Sequence, residues 1–311
     1  MPAAVSRKTL IGLRTLLRSF GQLVLQGNAA TGACVFAAWL AYSPRLACAG
    51  LLGALAANAA ALRLNRFAWR DTYRGLHGFN GALAAVVVFT FIADNARAIS
   101  FALPSALATT WLLKPWARWL RSQGLKFYSS PALLVSGLWL PLINLSNPTV
   151  QRATAHSTAL LHDAGNWLSG LAQTSFACGA WPGLLILAGI AAASRRHAFW
   201  ALAGTVLGST AHLLLGASVV SFDLGLLGFN GALTALALAN SGALAALSGI
   251  ALAVVLQRLA DHCGLVTLGV PFVLATWSVL WLGQHALKPA WARFLGLSWQ
   301  RVRRFSRRPA R

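Results

Sequence analysis

The chain has 311 residues, 57% hydrophobic and only 10% charged, with a formal net charge of +21. Soluble domains carry about a quarter charged residues, so the composition excludes a water-soluble globular protein. A net positive charge of this size would point to nucleic acid in a soluble chain, and here it has first to be weighed against membrane topology.

In chain order, apolar stretches cover residues 20–42, 46–62, 75–93, 98–113, 131–145, 171–192, 198–217, 224–241, 243–257 and 264–286. These predict ten crossings. Several stretches fall short of the roughly 20 residues of an average span, which predicts short, broken or loop-extended helices. With the N-terminus cytoplasmic, the inner side receives Arg7, Lys8, Arg14, Arg18, Arg63, Arg66, Arg70, Arg74, Lys114, Arg118, Arg121, Lys126, Arg195, Arg196 and all bases from Lys288 onward. Only Arg45, Arg97, Arg152 and Arg258 of the 26 bases are left outside, with Asp94, Asp163, Asp223 and Asp261; Asp71 is the one inner acid. The opposite orientation would violate the positive-inside bias. Both termini are therefore expected in the cytoplasm and the chain in the cell (inner) membrane. The basic loops and the Arg-rich tail read as topology signals that also attract anionic lipid, so the lipid bilayer and not nucleic acid is the expected partner. The first twenty residues lack a small-residue cleavage site, and no removable leader is expected. Cys34, Cys48, Cys178 and Cys263 show no CxxC or metal spacing and read as small packing residues.

Self-comparison reveals a repeat. Leu76-His77-Gly78-Phe79-Asn80-Gly81-Ala82-Leu83 returns as Leu226-Leu227-Gly228-Phe229-Asn230-Gly231-Ala232-Leu233, at an offset of 150. Gly21-Gln22-Leu23-Val24-Leu25 followed by Gly32 matches Ala172-Gln173-Thr174-Ser175-Phe176 followed by Gly183, at an offset of 151. Gly124 through Pro131 and Ser136 matches Gly264 through Pro271 and Thr276, at an offset of 140. The closer literal match of Pro271–Trp277 to residues 104–110 would delete a span from the first half, so Ser136 and Thr276 form the equivalent pair. Five spans per half, an odd number, insert the second copy upside down relative to the first. The expected division is a first repeat at 1–145, an outer polar connector with a possible surface helix at 146–169, a second repeat at 170–287 and a basic cytoplasmic tail at 288–311.

The solute is constrained by what the spans lack. The chain contains no Glu, and all five Asp lie in loops or at span ends. A charged substrate or carboxylate-coupled transport is disfavoured, since ion and proton paths leave ionisable groups inside the spans. What remains inside is uncharged: Gln22 and Gln173, Asn80 and Asn230, Ser136 and Thr276, among Gly and Pro breaks that leave carbonyls unpaired. Phe79 with Leu83, and Phe229 with Leu233, lie four apart on one helical face. Flat apolar walls edged by acceptors describe a slot for a small planar amide.

The QxxF-type segments (Gln22 to Leu25, Gln173 to Phe176), the two GFNxxL motifs and Pro271-Phe272-Val273-Leu274-Ala275-Thr276-Trp277 resemble the urea transporter family, over about residues 17–286. The resemblance implies an all-α membrane protein of ten transmembrane helices. It groups them as two inverted five-helix repeats, each with a short half-membrane helix, around a central pore, assembled as a homotrimer. It implies passive, channel-like passage of urea through a narrow filter, without cofactor or metal. Carried over by motif position, Gln22 and Gln173 stand on the half-helices beside oxygen ladders. Leu25, Phe79, Leu83, Phe176, Phe229 and Leu233 form the walls, Ser136 and Thr276 give hydroxyls at the constriction, and Asn80 and Asn230 support the filter by tethering helix ends. Leu25 stands where the family more often has an aromatic, Ser136 where Thr is expected, and Asn28-Ala29 where Asn-Pro is expected. The alternative is a channel for a related small neutral solute: short amides, ammonia or water. An ammonia channel would carry two facing pore histidines, whereas His212 has no repeat-related partner. No nucleophile with a base, metal set or phosphate loop marks an enzyme.

Overall fold

The computed structural model describes residues 2–64, 69–146 and 162–287. Residues 147–161 of the expected connector, with Arg152, lie outside the described residues, as do Arg66 and the basic tail at 288–311. All regular secondary structure among the described residues is helical, with no strand.

The first half runs α1 (Pro2–Gly21), a 3-10 turn (Gln22–Val24), α2 (Ala29–Tyr42), α3 (Pro44–Leu64), the short α4 (Trp69–Tyr73), α5 (Leu76–Phe91), α6 (Asn95–Ser122) and α7 (Ser130–Ser146). The second half follows the same series: α8 (His162–Ala172), a 3-10 turn (Gln173–Ser175), α9 (Ala180–Ala193), α10 (Arg195–Leu214), the short α11 (Val219–Asp223), α12 (Phe229–Leu238), α13 (Ala243–His262) and α14 (Val270–Leu282), which ends in a π turn (Gly283–Leu287). Two helices, Pro44–Arg63 and Ala243–His262, are long and apolar enough to cross a membrane alone. Two further candidates are bent pairs, α1 with α2 at 76° and α8 with α9 at 68°.

Local chemistry explains the breaks. Asn28 caps α2, its Oδ1 accepting from Thr31 N–H (3.1 Å). Ser43 is extended (φ −159°) and Pro44 opens α3, a position where the missing N–H is harmless. Ser194 makes the matching one-residue joint between α9 and α10 and accepts from His197 N–H (3.4 Å).

Three expected limits shift. The apolar run at 20–42 is divided by residues 25–28 into the end of one helix and the whole of α2. The run at 98–113 continues as α6 to Ser122, so Lys114, Arg118 and Arg121 stand on a helix and not in a loop. The boundary drawn between 169 and 170 falls inside α8. The polarity of that stretch is internal: Asn166 Nδ2 donates to Asp223 Oδ1 (2.8 Å) and the buried Ser169 Oγ accepts from Gly179 N–H (3.1 Å).

Lipid removes the hydrophobic drive between helices, so close packing of small residues must hold them. Every residue of α5 from His77 to Phe89 is buried, wrapped by α3 and α6, and α12 is nearly as enclosed against α10 and α13. Across the halves α2 packs on α9. There Thr31 Oγ1 donates to the Gly189 carbonyl (2.7 Å) and Trp39 Nε1 to the Ser175 carbonyl (2.7 Å).

Arg45 closes the end of α5. Its guanidinium donates to the carbonyls of Phe89 (2.5 Å), Ile92 (2.6 Å) and Ala93 (2.9 Å) and to Asn95 Oδ1 (2.8 Å), and it lies 4.8 Å from the Phe89 ring centroid. Those of Phe89 and Ile92 are among the carbonyls a helix C-terminus leaves unpaired, at the negative end of its dipole. Arg45→Ala is expected to lower stability by about 2 kcal/mol, read as a drop in melting temperature of the purified protein.

Candidate functional site

The two 3-10 turns set the geometry. After each, one non-glycine residue turns left-handed: Leu25 (φ 59°) and Phe176 (φ 64°). This conformation costs about 1–2 kcal/mol for a side chain with a Cβ and persists where surroundings impose it. Leu25 N–H donates to Gln22 O (3.0 Å) and Phe176 N–H to Gln173 O (3.1 Å); Gln26 and Ala177 reach back to Gly21 O (2.9 Å) and Ala172 O (3.2 Å). Among the described residues no backbone N–H reaches the carbonyls of Leu23, Val24, Leu25, Thr174, Ser175 or Phe176. Each tip is anchored by its glutamine: Gln22 Nε2 donates to Arg74 O (3.1 Å) and Gln173 Nε2 to Leu224 O (2.8 Å).

Between the tips lies a slot with a free volume of about 30 Å³. Leu25 and Phe176 come from the tips, Phe79 and Leu83 from α5, Phe229 and Leu233 from α12, and Gln173 stands at its edge. Phe79, Leu83 and Leu233 are buried, while Leu25, Phe176 and Phe229 are half-buried. The structure thus brings seven of the ten expected pore residues to one place, with aromatic side chains from both halves lining the same gap. No ionisable side chain lines it. The slot is narrow and its lining is almost entirely apolar, so a permeant sheds most of its water to enter it. A chamber of about 410 Å³ adjoins the slot, sharing Gln173, Phe176 and Phe229 with it, and Gln257, Asp261, Tyr42 and Thr90 contribute to its wall. Asp261 belongs to the side that charge counting places outside.

Three expected residues stand off the slot. Gln22 is a tether to Arg74. Ser136 and Thr276 lie on α7 and α14, three and four residues beyond the slot-lining Leu133 and Phe272, or about 5 Å farther along each helix. They are 1% and 0% exposed, and neither hydroxyl has a hydrogen-bond partner. Neither bonds back to its own helix carbonyls, as buried hydroxyls in helices commonly do.

Asn80 and Asn230 fix the starts of those helices. Asn80 Oδ1 accepts from Ala132 N–H (3.2 Å) and Asn230 Oδ1 from Phe272 N–H (3.3 Å). Asn230 Nδ2 also donates to Gln257 Oε1 (2.9 Å) and Leu268 O (3.2 Å). Just upstream, Tyr128 (φ 45°) and Leu268 (φ 47°) are the other left-handed non-glycine residues among those described. They stand 140 positions apart, the same offset that relates Ser136 to Thr276. His212 is buried on α10 with Nδ1 against the Gly208 carbonyl (2.8 Å), away from the slot.

Sequence reasoning missed Leu23, Ser129, Leu133, Thr174, Gly269 and Phe272 as slot residues. Thr174 lies inside the Gln173–Phe176 segment and Phe272 follows the repeated proline, so both were within reach of the repeat. Trp39, which takes the Ser175 carbonyl from the other half, has no local signal.

Broken apolar helices, carbonyls that no backbone N–H reaches and a narrow slot lined by no ionisable side chain characterise this all-helical membrane protein. The chain belongs to the urea transporter family, whose model matches residues 13–284. No curated protein matches the chain.

Proposed function

We propose that this chain is a passive, channel-like urea pore whose filter is the slot between the two tips. The observation that carries this is the meeting of Phe79 and Leu83 with Phe229 and Leu233 on one uncharged gap beside carbonyls that no backbone donor reaches.

The chemistry follows from desolvation. Stripping an amide-like group of water without replacement costs on the order of 4–8 kcal/mol, and urea has one carbonyl and four N–H donors. The carbonyls at Leu23, Leu25, Thr174 and Phe176 replace water on its edges, and the Phe faces replace water on its planes. In this reading urea next passes the hydroxyls of Ser136 and Thr276, whose hydrogen-bonding capacity no protein group fills. Gln22, Gln173, Asn80 and Asn230 hold the surrounding backbone. A neutral solute needs no counter-charge, and several weak sites in succession let it leave.

The proposed architecture is ten spans in two inverted five-helix repeats, with the segments of α1 and α8 that lead into the Gln22 and Gln173 tips as the half-membrane helices. The second repeat then begins at α8 and not at residue 170. The matched series of elements and the paired offsets of 150, 151 and 140 support it. We further infer a homotrimer in the inner membrane with both termini cytoplasmic, the orientation that the basic residues favour.

Urea flux into proteoliposomes is expected to saturate weakly and to ignore an imposed voltage or pH gradient. Uptake driven by either would reject the passive mechanism. A stopped-flow series of urea, methylurea, acetamide, ammonia and water separates urea from the alternative neutral solutes: comparable rates for all would reject urea selectivity.

A further inference from the structure

A second site lies at the face of α1 away from the slot. Ile11, Arg14, Thr15 and Arg18 recur at i, i+3, i+4 and i+7 and share one helical face. With Tyr73 of α4 they line an open depression of about 330 Å³. Arg18 Nη1 donates to the Tyr73 carbonyl (3.2 Å), which seats that guanidinium in the wall. Thr15 Oγ1 is tied to the Ile11 carbonyl (2.9 Å). Arg14 has no hydrogen-bond or ion-pair partner among the described residues, where the one salt bridge is the distant Arg258–Asp261 pair.

Two guanidinium groups one turn apart, without a carboxylate, are matched to a phosphate, which accepts the planar fork bidentately. The flanks decide which phosphate. Leu10, one turn before Arg14 on the same helix, is 63% exposed, and Trp69, 5.8 Å from the Tyr73 ring, is 52% exposed. A soluble anion needs no such apolar border, whereas a lipid does. We propose that this depression holds the headgroup phosphodiester of one anionic phospholipid, its phosphate between Arg14 and Arg18. The site is independent of the urea reading, and it differs from diffuse attraction of basic loops to a negative surface in having a fixed address.

The test uses the full chain reconstituted with equal parts phosphatidylglycerol and phosphatidylcholine, with retained lipid measured by mass spectrometry. Wild-type protein is expected to retain phosphatidylglycerol preferentially. Arg14→Gln, which breaks no bond within the described residues, is expected to reduce that preference about fivefold, and Arg14→Gln with Arg18→Gln to abolish it. The charge-matched Arg118→Gln/Arg121→Gln variant on α6 should keep it. Undiminished preference in Arg14→Gln, or an equal fall in the α6 variant, overturns the assignment. So does displacement of the lipid by inorganic phosphate, which would make the site one for a soluble anion. Should Arg14→Gln not fold, the wild-type melting temperature gives the same reading. A rise on adding phosphatidylglycerol that phosphatidylcholine does not produce supports the site, and equal responses overturn it.

Discussion

Thr276→Val is expected to slow urea permeation by about 10- to 100-fold while leaving the protein as stable as wild type or more so. The two halves of that expectation come from one observation, the fully buried hydroxyl without a partner. Leaving a buried polar group unsatisfied costs about 1–3 kcal/mol, and Val removes that penalty with almost no change in shape. If the hydroxyl serves a permeant already stripped of water, its loss removes a hydrogen bond of similar size from the passage, which gives the fold-change. Ser136→Ala should act in the same direction. Stopped-flow flux and thermal melts on the same preparations decide the matter. Wild-type flux with lowered stability would make Thr276 an ordinary packing residue.

Gly53→Val is expected to abolish accumulation of folded protein. A Cβ at Gly53 would overlap the Gly81 carbonyl and crowd Ala85, and one at Gly204 would overlap the Gly231 carbonyl and crowd Ala235. The backbones of α3 and α5, and of α10 and α12, therefore touch directly. Overpacking usually costs 1–3 kcal/mol. Here the rigid partner is backbone and the membrane offers no hydrophobic compensation, so a loss above about 3 kcal/mol is expected. Displacing α5 would also carry Phe79 and Leu83 away from Phe229 and Leu233. Gly137→Ala is the control, since nothing lies within 4 Å of a Cβ there. Size-exclusion profiles compare the two, and a monodisperse Gly53→Val peak at wild-type yield would refute the argument.

The helical class and most helix positions were legible because apolar runs and capping residues are local signals. The repeated GFNxxL motif located the walls: a helical period of four puts Phe79 with Leu83 and Phe229 with Leu233 whatever the remote packing. The equivalence of Ser136 and Thr276 came from an offset, and both prove buried and unpaired. Less legible were features that tertiary contacts impose. Leu25 and Phe176 adopt a backbone conformation that their side chains disfavour, so no propensity marks them. The α8 sequence looks solvated because its Asn166 and Ser169 are polar, yet both are buried through hydrogen bonds to residues 10 or more positions away. The continuation of α6 to Ser122 is hidden because the helix outlasts its apolar stretch.

The two tips are near-copies, but their open acceptors are unequal. Trp39 occupies the Ser175 carbonyl, while the residue 151 positions after Trp39 is Ile190, which has no donor to offer the matching Val24 carbonyl. A molecule arriving from one face of the bilayer therefore encounters a different order of docking steps from one arriving at the opposite face. Half-saturating concentrations for entry and exit should consequently differ. Exchange at equal concentrations must still balance, because an unpowered conduit cannot rectify at equilibrium.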